Sequence, residues 1–380
     1  MQPLVDTVYR SAYTAAQITA LVQAPGLQVQ AGLDLLDQNN HWLADISSNL
    51  VSWSLTRDNT ATIHGTGTFV VAQSLQGGWQ RVRPYMLLSG AGLSNVRWDL
   101  GVYVLTTPVG QLNEIPLTWT ITGTDLLYLL RTPIGNTYNV PAGVTYLGAI
   151  QRAVSDAQMT GSQVLLDSSM DSAVVPVSLT FPLTGGQVWT YLDVINQLLV
   201  GINYIPLWAD WEGNFRSNAY INPNQLQPEF TFDLTQPDTM VADPRTLTND
   251  LWQAPNVFIY INQNVSAPVE GAGIYTYTNQ SSGPSSVDSV GRYIPTVVSV
   301  SAADQATLQN IAQQAIQQTL QLTLQLAVSV SPFPACWHYD VFAYKDPLMP
   351  PGLPPEVVVQ SQGWSLASDG SDGAQTWQVV

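Results

Sequence analysis

The sequence predicts a mainly β fold with a few helices, and three observations carry that expectation. Apolar and polar residues alternate over many short runs, 27 glycines and 25 prolines punctuate those runs, and few segments show helical spacing. With 45% hydrophobic residues, the 380-residue chain has enough apolar mass to offset the entropy of ordering. A length prior of roughly 150 residues per domain suggests two or three domains.

Taken in order, Leu50–Arg57 (LVSWSLTR), Ala61–Val71, Gly101–Thr106 and Ile115–Thr122 alternate between turn-forming residues and are predicted strands. GTGTF at 65–69 lies inside such a run, so it is expected as strand and not as a phosphate loop. Val144–Ala157 and Val188–Val200 repeat apolar residues every three or four positions and are predicted helices. Tyr204–Trp208 reads as a strand entering a hairpin, with WEGNF placing Gly213-Asn214 at the turn. Asn256–Ile261 alternates again. Pro268–Ser289, rich in Gly, Ser, Thr and Asn, reads as a loop or insertion. A helix is expected over Ser301–Thr319, entered through Ser301 and Asp304 in a capping-box-like spacing. Leu308, Ile311, Ala315 and Ile316 form its apolar face and glutamines fill the other. At Leu320 the period changes to two, predicting a long strand through Val330. Asp346–Pro355 (DPLMPPGLPP) reads as a stiff connector, and Val357–Val380 as a hairpin with a loose tip at SDGSDG. No tandem repeat is present, which disfavours solenoids and propellers.

Charge narrows the function. Only 10% of residues are charged, 11 basic against 27 acidic, for a formal charge of −16. Lys345 is the single lysine, so the basic footprint of a nucleic-acid or anionic-lipid binder is missing. No apolar stretch approaches the ~20 residues that span a bilayer, and MQPLVDTVYRSAY lacks the charged and apolar regions of a signal peptide. Cys336 is the one cysteine, so burial or oligomerisation must replace disulfides.

Catalytic patterns are thin. His41, His64 and His338 are scattered, and Cys336-Trp337-His338 is the one local Cys/His pair. On a strand those two would face one side, but no second ligand pair is near, and a packed core position is the plainer reading. Asp210 and Glu212, among Trp208, Trp211 and Phe215, superficially match the carboxylate pair of a glycosidase. At a hairpin tip they are more simply solvated turn residues. Asp238 and Asp243 lack the dense oxygen pattern of a calcium loop. The expectation is therefore no catalytic, cofactor-binding or metal-binding residue, and no enzyme. Among 12 tryptophans, Trp53, Trp98, Trp119 and Trp189 lie in periodic segments and are expected in the core. Trp42, Trp79, Trp211 and Trp252 sit beside turn signals and are interface or carbohydrate-stacking candidates.

The order of segments resembles the tail-hub (baseplate-hub) proteins of tailed bacteriophages, the minor tail proteins of siphophages. The passages that carry this are WSLTRDNTATIHGTGTFVV (53–71), RVRPYMLLSG with WDLGVYVLTTPV (81–90, 98–109) and TGTDLLYLL (122–130). They continue with VWTYLDVINQLLVGINYIPLWADWEGNFRSNAYINP (188–223), NDLWQAPNVFIYI (249–261), the DQATLQNIAQQ helix and HYDVFAY (338–344). No single motif is specific; the ordered series makes the resemblance.

The resemblance implies two tail-tube-like β-barrel domains and a helix-containing middle domain. The first barrel would span 1–125 and the middle α+β domain 126–230. The second barrel, with its Pro-rich connector and C-terminal hairpin, would span 231–380. It further implies a homotrimer that mimics six-fold symmetry. This would join the distal-tail or tail-tube ring to a tip, spike or fibre protein, beside the tape-measure protein. Phage DNA would pass transiently through its channel without specific binding, and the protein would reside in the virion. Gln321, Thr323 and Gln325 are the lumen candidates. The competing expectations are a virion or secreted protein that binds or cleaves cell-wall glycan, and a receptor-binding tip protein.

Overall fold

The computed structural model describes residues 1–379 except 7, 74, 76–79, 112–116, 160, 167–171, 184–187, 237–239, 250–253, 265–272, 322–323, 351–355 and 368–369. Strand accounts for 41% of the chain and helix for 19%, so the fold is mainly β as expected.

Among the described residues, fourteen strands form one sheet. Its path begins at Val241–Asn249, then Leu324–Val330, Gly370–Val379 and Glu356–Ala367, and crosses to Leu50–Asp58. From there it continues through Gly65–Val71, Thr118–Asp125, Tyr103–Gln111, Arg81–Gly90 and Gln28–Leu36 to Trp42–Asp45. The crossing is an antiparallel pairing that runs from Ser361 opposite Asp58 to Ala367 opposite Ser52. Alternation decides which side faces the core. Trp53, Leu55, Phe69, Val71 and Ile121 point inward and are buried, with Phe333, Phe342, Val357 and Val359 from the C-terminal part in the same cluster. Gly67 belongs to this packing, because a Cβ there would lie 2.9 Å from Leu55 Cδ2.

A second core surrounds the helices Tyr146–Asp156 and Tyr191–Gly201. Thr145 caps the first by accepting from Gly148 N–H, and Thr190 with Asp193 closes a reciprocal capping box on the second. Ile150, Ala153, Leu192, Ile195, Leu198 and Leu199 fill the space between them and the short flanking strands. A third unit is the sheet of Val257–Asn262, paired on one side with Ile274–Thr278 and on the other with Pro295–Val300. The helix Gln305–Gln321 packs Leu308, Ile311, Ala312 and Ile316 against Phe258, Tyr260 and Val300.

Several expectations change in detail. Ala15–Val22 is a helix with a Thr14/Gln17 capping box, a short apolar stretch that the strand-dominated reading passed over. The long helix is capped by Asp304, whose Oδ1 accepts from Thr307 N–H at 2.7 Å, and not by Ser301, which is buried. It runs to Gln321, so the following strand is Leu324–Val330 only. Leu320 fits both patterns, being four residues beyond Ile316 on the helix face as well as first in the alternation. The segment expected as a loop contains the strand Ile274–Thr278, whose Tyr275 and Tyr277 pack on the third core, and the turn of helix Val287–Val290. The C-terminal hairpin pairs as far as Ala367 opposite Gly370, so Gly370–Gly373 of the SDGSDG stretch are strand instead of loose tip.

Candidate functional site

The hairpin of Trp208–Ala209 and Phe215–Ser217 brings the proposed carboxylate pair into view. Gly213 N–H donates to Asp210 C=O, so Trp211 and Glu212 occupy the turn, and Gly213 follows at φ 87°. The turn is thus centred two residues earlier than the Gly213-Asn214 pair read from sequence, and the left-handed glycine follows it. Asp210 is 0% exposed, which corrects its reading as a solvated turn residue. Its Oδ1 accepts from Glu212 N–H (2.9 Å) and Asn214 N–H (2.8 Å), and its Oδ2 from Arg216 Nε (2.6 Å). A carboxylate engaged this way shapes a turn. Glu212 is exposed, and partial desolvation beside Asp210 raises its carboxyl above the usual range.

Two of the three histidines meet in space, while His41 is exposed beside Asp37. His64 and His338, 274 positions apart in sequence, lie with ring centroids 5.1 Å apart and are both buried. Burial pushes His64 down to about 4 and holds His338 well below its ordinary value, so both rings are neutral. Arg57 sits 3.4 Å over the Trp337 ring and donates to Leu100 C=O. Asp125 accepts from Gly65 N–H (2.6 Å) and Leu127 N–H (3.0 Å), and burial lifts its carboxyl to about 7. Cys336 and His338 lie in coil and turn, not on a strand. Burial raises the Cys336 thiol, and a protonated thiol out of reach of solvent is no nucleophile. Among the described residues no group of three His, Cys, Asp or Glu is placed to hold a metal ion.

Beside this seam opens a cleft of about 370 Å³ lined by Trp208, Trp211, Tyr220, Trp337 and Tyr339. Trp211 and Trp337 meet edge to face, 5.6 Å apart at 83°. At one end the Met1 amine bridges Glu229 (2.6 Å) and Asp340 (2.7 Å). Burial raises the Asp340 carboxyl to about 7 against the pull of that amine.

The large sheet presents a second surface. Opposite the core, Ser54 lies across from Thr68 and Thr68 from Thr122, while Thr56 lies across from Thr66. Ser52 and Thr120 flank Val70 in the next row. On Leu324–Val330, Gln325, Ala327 and Ser329 share the side away from buried Leu326, Val328 and Val330. These rows hold hydroxyl, amide and small apolar side chains and no formal charge. Gln325 is thus partly exposed as expected, Gln321 belongs to the helix instead of a strand, and Thr323 lies outside the described residues. Asp238, Trp79 and Trp252 also lie outside them. Asp243 is exposed and pairs with Arg245 at 2.8 Å. Trp53, Trp98 and Trp189 are buried and Trp119 is partly buried against the first core, whereas Trp42 is 61% exposed.

No family model and no curated protein matches the chain. Solved structures do match. The tail protein from Neisseria meningitidis MC58 superposes with a TM-score of 0.64 at 12% identity, covering 92% of this chain and 96% of that one. The 43 kDa tail protein of prophage MuSo2 from Shewanella oneidensis gives 0.59 at 14%, covering 91% and 98%. The Francisella PdpA–VgrG complex gives 0.53 at 10%, over 94% of this chain and 53% of the matched chain. Likeness at such low identity is a likeness of architecture, and nearly end-to-end coverage makes it one of the whole chain: it has the fold of these phage tail proteins.

Proposed function

We propose that this chain is a structural subunit of a bacteriophage tail: a hub without chemistry of its own, located at the tail tip of the virion. The observation that carries the proposal is the match over nearly the whole of both chains with the Neisseria tail protein. In this reading three copies form a ring with pseudo-six-fold symmetry. The ring joins the distal-tail or tail-tube ring on one side to a tip, spike or fibre protein on the other, next to the tape-measure protein. Residues 1–125 and 231–380 form the two tube-like barrels, and 126–230 the domain between them. The strand pairing between Leu50–Asp58 and Glu356–Ala367 supports that arrangement, since it fuses the two barrels edge to edge.

The uncharged hydroxyl rows support a role as conduit. Phosphates bind where basic side chains displace their counterions, and a wall of Ser, Thr and Gln offers no such exchange. Charge is screened over ~8–10 Å at physiological salt, so the lining itself governs what a passing duplex feels. Commitment of Asp210 to its turn speaks against the glycan-cleaving alternative. Particle imaging and mass measurement of the purified protein test the proposal. A ring of three chain masses is expected, and a stable monomer with cooperative unfolding and no tendency to associate would refute it.

A further inference from the structure

We propose that the aromatic cleft between the 208–217 hairpin and the 333–340 loop is a binding site for an uncharged saccharide. Its volume of about 370 Å³ lies in the range of small-ligand sites. Trp211, Tyr220 and Tyr339 line it and are each only partly buried, so aromatic surface remains open to a ligand, with the Arg216 guanidinium 5.6 Å from the centre of the Trp211 ring. A pyranose offers one face of C–H groups to cover such rings and a girdle of hydroxyls at its edge. The cleft supplies complements to both. Arg216 also lines the cleft and commits Nε to Asp210, while its terminal nitrogens make no hydrogen bond among the described residues. The Asn218 amide is exposed and makes no side-chain hydrogen bond among the described residues. Glu229 spends one carboxylate oxygen on the Met1 amine. Guanidinium, amide and carboxylate each present two polar atoms in one plane, a spacing suited to neighbouring hydroxyls.

The charge around the cleft sets the class of sugar. Glu229, whose side chain is partly exposed at the cleft and already has its cation partner, stands against anionic saccharides. Placement of Trp211 is also built into the fold. Its turn is fixed by the Asp210 carboxylate and its edge is held by Trp337, so little freedom is lost when a ligand stacks. This inference does not rest on the assembly reading, and neither falls with the other.

Titration of the intact chain with N,N'-diacetylchitobiose, cellobiose and triproline, followed by tryptophan fluorescence, tests it. Saturable change with one of the disaccharides is expected, at a Kd of about 1 mM, the scale of a ligand this small. Trp211→Ala and Asn218→Ala should each weaken that binding about tenfold, ~1.4 kcal/mol. Asn218→Ala leaves the packing intact and keeps the test valid should Trp211→Ala fold poorly. Saturation by triproline alone overturns the proposal in favour of a peptide groove. Disaccharide binding unaltered in Asn218→Ala overturns it as well, as does failure of both disaccharides to saturate at ten times the expected constant.

Discussion

Replacing Asp210 by alanine should destabilise the protein far more than replacing Glu212, its neighbour in the same turn. Three hydrogen bonds end on this carboxylate, two from backbone N–H groups of its own turn and one from Arg216, and the side chain is fully buried. Bonds to a charged acceptor contribute about 1.5 kcal/mol or more each, and breaking a buried pair costs about 3–5 kcal/mol. Arg216 is one-third exposed, so water takes over part of its loss and the lower end applies, about 3 kcal/mol. A midpoint shift of about 2 °C per kcal/mol for a large chain makes this about 6 °C in a thermal melt. Glu212→Gln, two residues away and exposed, should melt within about 1 °C of the parent, as surface changes do. The contrast separates a turn-shaping carboxylate from a catalytic pair. Equal melting of Asp210→Ala and the parent would refute the structural assignment, and hydrolysis of glycan abolished by both changes would replace it.

The remaining expectations concern other parts of the fold. Ile311→Asp should cost several kcal/mol, on the order of burying an unpaired charge, because Ile311 is buried between the long helix and its sheet; normal melting and assembly would show the helix face to be wrong. Asp125, lifted to about 7 by burial, binds its proton in the fold before the unfolded chain does near pH 3.8. Its stabilising effect is complete below that pH and is lost as pH rises through about 7. Asp125→Asn should therefore lose about 4 kcal/mol relative to the parent as pH falls from 7 to 4, measured by urea unfolding. Parallel pH profiles would contradict this. His64, pushed down to about 4, acts in the opposite sense: stability is full above about 6.5 and falls by about 3 kcal/mol by pH 4, and His64→Gln should remove that loss. On the proposed conduit reading, Thr68→Arg, in the middle of the hydroxyl rows, should leave folding intact but slow DNA delivery from assembled particles in a salt-dependent way. Unchanged delivery at low salt would count against the conduit proposal.

The strands and the helix faces were legible because burial imposes a period on the sequence: Trp53, Leu55 and Phe69 alternate, and Leu308, Ile311 and Ile316 share a helical face. Leu320 shows the limit of that reading, since one residue satisfied two periods and hydrogen bonding chose the helix. The candidate site was hardly legible at all. His64 and His338 meet because separate elements bring them together, and no local pattern encodes a contact across 274 positions. Asp210 looked like any turn aspartate. Its full burial depends on how the hairpin packs in the fold, which no local pattern in the sequence marks. A signal was present in the density of tryptophans near 208–211 and 337, which cores and clefts share.

The pairing of Glu356–Ala367 with Leu50–Asp58 has a consequence for biosynthesis. On the ribosome, Leu50–Asp58 emerges some 300 residues before its partner, and until then it can pair only with Gly65–Val71. One edge of the early sheet therefore stays open while these intervening residues are made, at about 5–20 residues per second a time of tens of seconds. An unpaired edge is a template for any other strand, including the same strand on a neighbouring nascent chain. The last two dozen residues thus act as a latch that closes the N-terminal sheet and ends its competence for promiscuous pairing. A chain cut before Glu356 should accumulate in the insoluble fraction, and supplying the missing hairpin as a separate peptide during synthesis should restore it to solution.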